Sequence, residues 1–274
     1  MPLEDHAGDV IRKSRMGLGI SSSEVAAAGQ INEDTLAKFE EDGAPTNGIH
    51  FENIASLLTL DGGKLNAIAS GWEPQKQDVS RWHHLRHIET DDGGMAVNCF
   101  LIWDQNTGEA ALFDTGWILR PIEEHIKQHE LDLRHIFLTH SHYDHIEALG
   151  DVRKMAPEAA IHSNIPAAPK TQRLLPQESF QLGGLSIRYR ETPGHADDGV
   201  TYVVEGFPGT SSSIAIVGDA IFAGSIGGAR SHFQLARDKI QEAIFSLPVD
   251  TLICPGHGPV TTVAEELANN PFFS

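Results

Sequence analysis

Residues 140–145 read His-Ser-His-Tyr-Asp-His, and four of the six carry side chains that bind metal ions. His140 and His142, two apart, can both face one ion, while Asp144 and His145 turn toward a second position. Three later segments add His195 in Thr192-Pro193-Gly194-His195, Asp219 in Val217-Gly218-Asp219-Ala220, and His257 in Cys254-Pro255-Gly256-His257. Imidazole and carboxylate suit Zn²⁺, Fe or Mn²⁺, and a set without thiolates argues against a purely structural zinc. The chemistry expected is therefore metal-dependent. A pair of ions lowers the pKa of bound water so that hydroxide exists near neutral pH, ready to attack a carbonyl that one ion polarises. Asp144 or Asp219 would orient that nucleophile and shuttle its proton.

Side chains this scattered meet only if rigid elements aim them at one cavity. Each candidate ligand follows a strand-like run. Residues 136–139 precede His140, the alternating run 185–190 precedes His195, 214–217 lead to Asp219, and 251–254 lead to His257. Further strand-like runs cover 95–103, 110–113 and 200–204, with a turn at 105–108 between the first two. Helical patterns cover 120–128 and 233–246. Strands interleaved with helices predict a layered α/β domain over 78–274. No internal repeat is visible.

That stretch resembles the metallo-β-lactamase fold superfamily, whose H-x-H-x-D-H hallmark reads here as His140, His142, Asp144 and His145. The family's later ligands match His195, Asp219 and His257. The resemblance implies a four-layer αβ/βα sandwich holding two divalent metals, zinc foremost, with iron or manganese as alternatives. One metal would take His140, His142 and His195, the other Asp144, His145 and His257, with Asp219 bridging. Phe113-Asp114-Thr115-Gly116 matches the family's early D-T-G turn, which makes Asp114 a support for the ligands and not a ligand. Within the superfamily the chain looks like the glyoxalase II-type hydrolases of short bacterial form, through 192–195, 218–227, 255–259 and the ending Asn269-Asn270-Pro271-Phe272-Phe273. Such enzymes hydrolyse glutathione thioesters, and a thiolate leaving group needs little acid help.

One departure bears on substrate. Where that group continues with Arg-Thr-Asp after Ser225-Ile226-Gly227, this chain has a shortened Gly228-Ala229-Arg230-Ser231-His232. Arg230 is the candidate basic replacement, and Tyr143 is a second candidate substrate contact. The alternative implied by resemblance is a persulfide dioxygenase with one iron on His140, His195 and Asp219. A lactonase or other ester hydrolase is a third reading.

Residues 8–70 have helical grammar. Ser21 and Glu24 make an S-x-x-E capping box ahead of a helix broken by Gly29, Asn32 can cap a second helix reaching Glu41, and a core-facing helix runs over 51–58. From residue 11 to 69 this resembles the repressor-type helix-turn-helix module, so residues 1–72 are set apart as a small all-α module, with 72–78 as linker. Its charge opposes DNA: residues 1–72 hold five Lys/Arg against eleven Asp/Glu. The would-be recognition helix carries Glu33, Asp34, Glu40 and Glu41 against Lys38. Dimerisation, giving a homodimer, or shaping of the active-site rim is the expected role, and a metal-sensing DNA-binding regulator is the non-enzymatic alternative.

The whole chain, 274 residues with a formal charge of −18, repels phosphate backbones, which argues against nucleic acid as a partner, and the resemblance implies a small-molecule (thio)ester instead. Its N-terminus lacks a basic region followed by an apolar core, and its longest apolar run, 95–103, is about half of a membrane helix. A cytoplasmic protein is expected, with Cys99 and Cys254 as small core residues. His83, His84 and His87 around Trp82 read as exposed strand histidines ahead of pocket rim, and His162 as structural. No G-x-S-x-G elbow, Walker loop or dinucleotide fingerprint occurs, which removes serine-hydrolase and nucleotide chemistry.

Overall fold

The computed structural model describes residues 1–44, 48–174 and 179–274. Five helices come first: α1 (Ala7–Leu18), α2 (Ser22–Ala28), α3 (Glu33–Asp42), α4 (Phe51–Leu57) and α5 (Gly62–Ala69). Ser21 and Glu24 close the expected capping box on α2, and Asn32 Oδ1 accepts from Thr35 N to start α3. Residues 73–78 then run without helix or strand.

The α/β part begins with β1 (Leu85–Asp91), β2 (Ala96–Trp103), β3 (Glu109–Phe113), α6 (Arg120–Gln128), β4 (Asp132–Phe137), α7 (Tyr143–Ile146), α8 (Leu149–Met155) and β5 (Ala160–His162). It continues with β6 (Ser179–Leu182), β7 (Leu185–Glu191), β8 (Val200–Glu205), β9 (Ile214–Gly218), β10 (Ile221–Phe222), β11 (Ser225–Ile226), α9 (Phe233–Ala243), β12 (Leu252–Pro255), β13 (Thr261–Thr262) and α10 (Val263–Asn269). One sheet has the order β1-β2-β3-β4-β5, the other β13-β12-β9-β8-β7-β6, and β10-β11 form a separate hairpin.

Alternation along the strands makes the layers. Phe100, Phe113 and Phe137 of the first sheet face Ile187, Tyr202 and Ile216 of the second, filling the central core. Their neighbours Leu101, Leu112 and Ile136 point outward onto Ile122 of α6 and Val152 of α8. On the far side, Val203, Ala215, Val217 and Ile253 pack under Phe233 and Ile240 of α9. The result is the αβ/βα sandwich.

The N-terminal helices belong to that outer layer. Val10, Ile11, Leu36, Ile54 and Leu65 share one continuous core with the second sheet and α9. Asp61 N bonds Pro271 O at 2.8 Å, and Lys64 Nζ bonds Phe273 O at 2.6 Å.

Two elements lie differently from expectation. The strand ahead of His140 is Asp132–Phe137 instead of 136–139, because its polar first half already pairs in parallel with β3, and from His135 with β5 as well. Helix α9 ends at Ala243 instead of residue 246; Phe245 N bonds back to Ile240 O in a turn ahead of Pro248. Cys99 and Cys254 are buried as expected. Of the Trp82 histidines only His83 is exposed: His84 and His87 are half-buried, the first tilted against Trp103 and the second stacked on Phe100, and neither belongs to the metal-ligand groups. His162 stacks on Phe137 and bonds His135.

Candidate metal centre

All seven sequence-derived ligands converge at one edge of the sandwich. His140, His142, His195 and Asp219 form one compact group and Asp144, His145 and His257 another, the ligand atoms within each lying inside 4.8 Å of one another. Asp219, at the end of β9, stands between them. Its Oδ1 is 3.3 Å from His145 Nε2, and its Oδ2 is 3.4 Å from both His195 Nε2 and His257 Nε2. Asp144 Oδ2 lies 3.3 Å from His257 Nε2. Gly256 allows this approach, since a Cβ there would fall 2.2 Å from Asp219 Oδ1.

Four imidazoles are held from behind by Nδ1. His145 Nδ1 donates to Asp114 Oδ2 at 2.8 Å, His195 Nδ1 to Gly228 O at 3.1 Å, and His257 Nδ1 to Ala96 O at 2.7 Å. His140 Nδ1 lies 3.0 Å from Thr139 Oγ1, whose proton goes on to Asp114 Oδ2 at 2.7 Å. This network holds each ring by Nδ1 and leaves Nε2 as the nitrogen that faces the centre. His142 is turned the other way, its Nδ1 2.9 Å from His195 Nε2.

The electrostatics are those of a site built for cations. Burial disfavours charge on Asp219, but His145 and His257 overrule it and hold the carboxyl well below its ordinary range. Burial, helped by neighbouring His145, pushes His140 well below the usual imidazole value, and burial lowers His195 too. Burial also opposes charge on His145 and His257. The carboxylates Asp219 and Asp114 nevertheless push His145 up to about 10, and hydrogen bonds to Asp144 and Asp219 push His257 to about 11. His140 Nε2, His145 Nε2 and Asp219 Oδ1 are buried without a hydrogen-bond partner. Buried polar atoms in that state are costly unless something coordinates them. Metal binding displaces protons from such ligands, and this nitrogen-and-carboxylate donor set fits divalent zinc, iron or manganese.

Asp114 lies behind His145 and Thr139, accepting from Thr139 N at 2.8 Å as well as from Thr139 Oγ1 and His145 Nδ1. A cavity of about 480 Å³ opens on the centre, lined by His142, His195, Asp197, Arg230 and His232 among others. Arg230 therefore faces the open side. Tyr143, 63% exposed, lies edge-on to Trp117 and does not line that cavity. Sequence reasoning missed Thr139, which relays between His140 and Asp114, although it directly precedes the motif. It also missed Glu4, which lines a cavity of about 310 Å³ on the His257 side and for which no local signal exists.

The profile of the metallo-beta-lactamase superfamily matches residues 92–257. A probable metallo-hydrolase of Streptococcus pyogenes is 32% identical over 64% of this chain and 84% of its own. A hydroxyacylglutathione hydrolase of Haemophilus influenzae is 27% identical over 65% and 92%, and the mitochondrial persulfide dioxygenase of Homo sapiens 32% identical over 64% and 72%. Among solved structures, the B3 metallo-beta-lactamase BLEG-1 superposes with a TM-score of 0.59 at 25% identity, covering 69% of this chain and all of that one. The centre lies within the matched span, and the chain belongs to the metallo-beta-lactamase superfamily.

Proposed function

We propose that this metallo-hydrolase cleaves thioesters through a two-metal centre, one metal on His140, His142 and His195, the other on Asp144, His145 and His257, with Asp219 shared. The observation that carries the reading is the position of Asp219, within 3.4 Å of imidazole nitrogens from both groups. A single metal on His140, His195 and Asp219 would leave the second group, Asp144, His145 and His257, without an ion. Bound there, divalent metals supply Lewis acidity and draw the pKa of water toward neutrality. The chain's own part is to aim the donors and manage the proton. Asp144, half-buried beside His257, is the group placed to receive a proton from an attacking water. Arg230 at the cavity wall offers a charged contact to the substrate, and Tyr143 stands outside that wall as a rim contact. Among the described residues, Arg230 is the one Lys or Arg side chain lining that cavity, so the acyl carrier is held by few charges. The Haemophilus relative, named for hydroxyacylglutathione, supports the thioester class.

The test is metal analysis of the purified full-length chain alongside turnover of S-lactoylglutathione. Near two metals per chain with thioester cleavage is the expected result. A second reading draws support from the human relative and from the compact His140, His195 and Asp219 trio. One iron per chain, with oxygen consumed on glutathione persulfide, would replace the hydrolase reading by that one.

A further inference from the structure

Lys13 of α1 points at the β10–β11 hairpin with its side chain only 17% exposed. Its Nζ pairs with Asp5, donates to Ile226 O at 2.9 Å, and stands 5.0 Å from the centroid of the Phe222 ring. A carboxylate, a carbonyl and a ring face thus meet the ammonium. Two of these contacts grip the β10–β11 hairpin, one on each strand.

The hairpin touches the metal centre at three points. Asp219 lies just before it. The Phe222 ring meets His257 edge-on, centroids 5.9 Å apart. The chain leaving Ile226 supplies Gly228 O, which accepts from His195 Nδ1. Between them, Gly227 is packed so closely that a Cβ would fall 1.9 Å from Asp219 O and 2.9 Å from His195 Cβ. Movement of Ile226 is therefore passed to Asp219 and His195 with almost no slack.

We infer that Lys13 is a positioning residue of the metal centre: by clamping the hairpin at Ile226 and Phe222, it keeps His195 and Asp219 aimed at the ion. The N-terminal helices thereby become part of the site, although the superfamily match begins only at residue 92. The inference rests on the ligand set proposed above.

The experiment measures Zn²⁺ affinity of the full chain by chelator competition, and the visible spectrum of the Co²⁺-loaded form. Groups behind metal ligands typically govern affinity by about 10–100-fold. Lys13→Met is expected to weaken Zn²⁺ binding by more than about fivefold and to shift the Co²⁺ spectrum, and Lys13→Arg to restore both. A loss of about fivefold or less, or Lys13→Arg as weak as Lys13→Met, overturns the inference. Should Lys13→Met fail to fold, Asp5→Asn, which removes the carboxylate anchoring the ammonium, is held to the same fivefold threshold. A wild-type chain that takes up neither metal fails the ligand assignment instead, so the two failures are distinguishable.

Discussion

Asp114 and His145 are joined by a 2.8 Å hydrogen bond, with both side chains almost wholly buried and Asp114 in the left-handed backbone region at φ 57°. Asparagine and aspartate tolerate that region better than other non-glycine residues. Asp114→Asn should therefore keep the turn while halving the acceptor capacity shared by His145 and Thr139. The expected result is unchanged circular dichroism with metal affinity lowered by about 10–100-fold, read by chelator competition.

Asp219→Ala removes the carboxylate between the two ligand groups. Metal content and thioester turnover should both vanish while the chain remains folded. Surviving activity would show that the centre is misassigned.

Adjacent glycines offer a paired test. Gly227→Ala would force a methyl against Asp219 O and His195, whereas a Cβ on Gly228 meets nothing within 4 Å. The first should lose metal, and the second should retain metal and melt within a degree or two of wild type, as an exposed substitution does.

Glu266, which is not among the metal-ligand groups, gives a further pH dependence. Its buried carboxyl is pushed up to about 7 by desolvation, against hydrogen bonds from Asn270, Gly224 and Thr261 that favour the charged form. Unfolded, it titrates near 4.5. The folded state therefore gains from the neutral form below that value and loses the gain as pH rises through about 7, by on the order of 3 kcal/mol. Glu266→Gln can keep the acceptor toward Gly224 and Asn270 while donating to Thr261. Urea denaturation of both proteins should show them similar near pH 4.5, with the glutamine variant the more stable at pH 8.

The acidic face of α3 predicts no DNA retention by the full chain even at low salt. Clear salt-sensitive retention on a DNA column would restore the regulator reading.

What could be read beforehand follows the reach of each interaction. The ligands were legible because each sits just past an apolar run, so residue type and strand pattern coincide at His140, Asp219 and His257. The capping box at Ser21 and Glu24 was legible because it closes over three residues. Strands β10, β11 and β13, two residues each, carry too few side chains to form a pattern. The offset of β4 arose because Asp132 to His135 alternate with polar residues yet still pair in the sheet. Lys13 and Ile226 lie 213 positions apart, and nothing local to either announces the other.

The contacts of α5 carry one more consequence, for synthesis. Lys64 bonds to carbonyls 203 and 209 residues further along the chain. The apolar faces of the early helices leave the ribosome long before α9 and the 271–273 segment that cover them. Closing so long a loop is entropically slow. Folding of the N-terminal layer should thus be late, dependent on the arrival of Phe272 and Phe273, and a nascent chain halted before them should remain sensitive to proteolysis across residues 7–69.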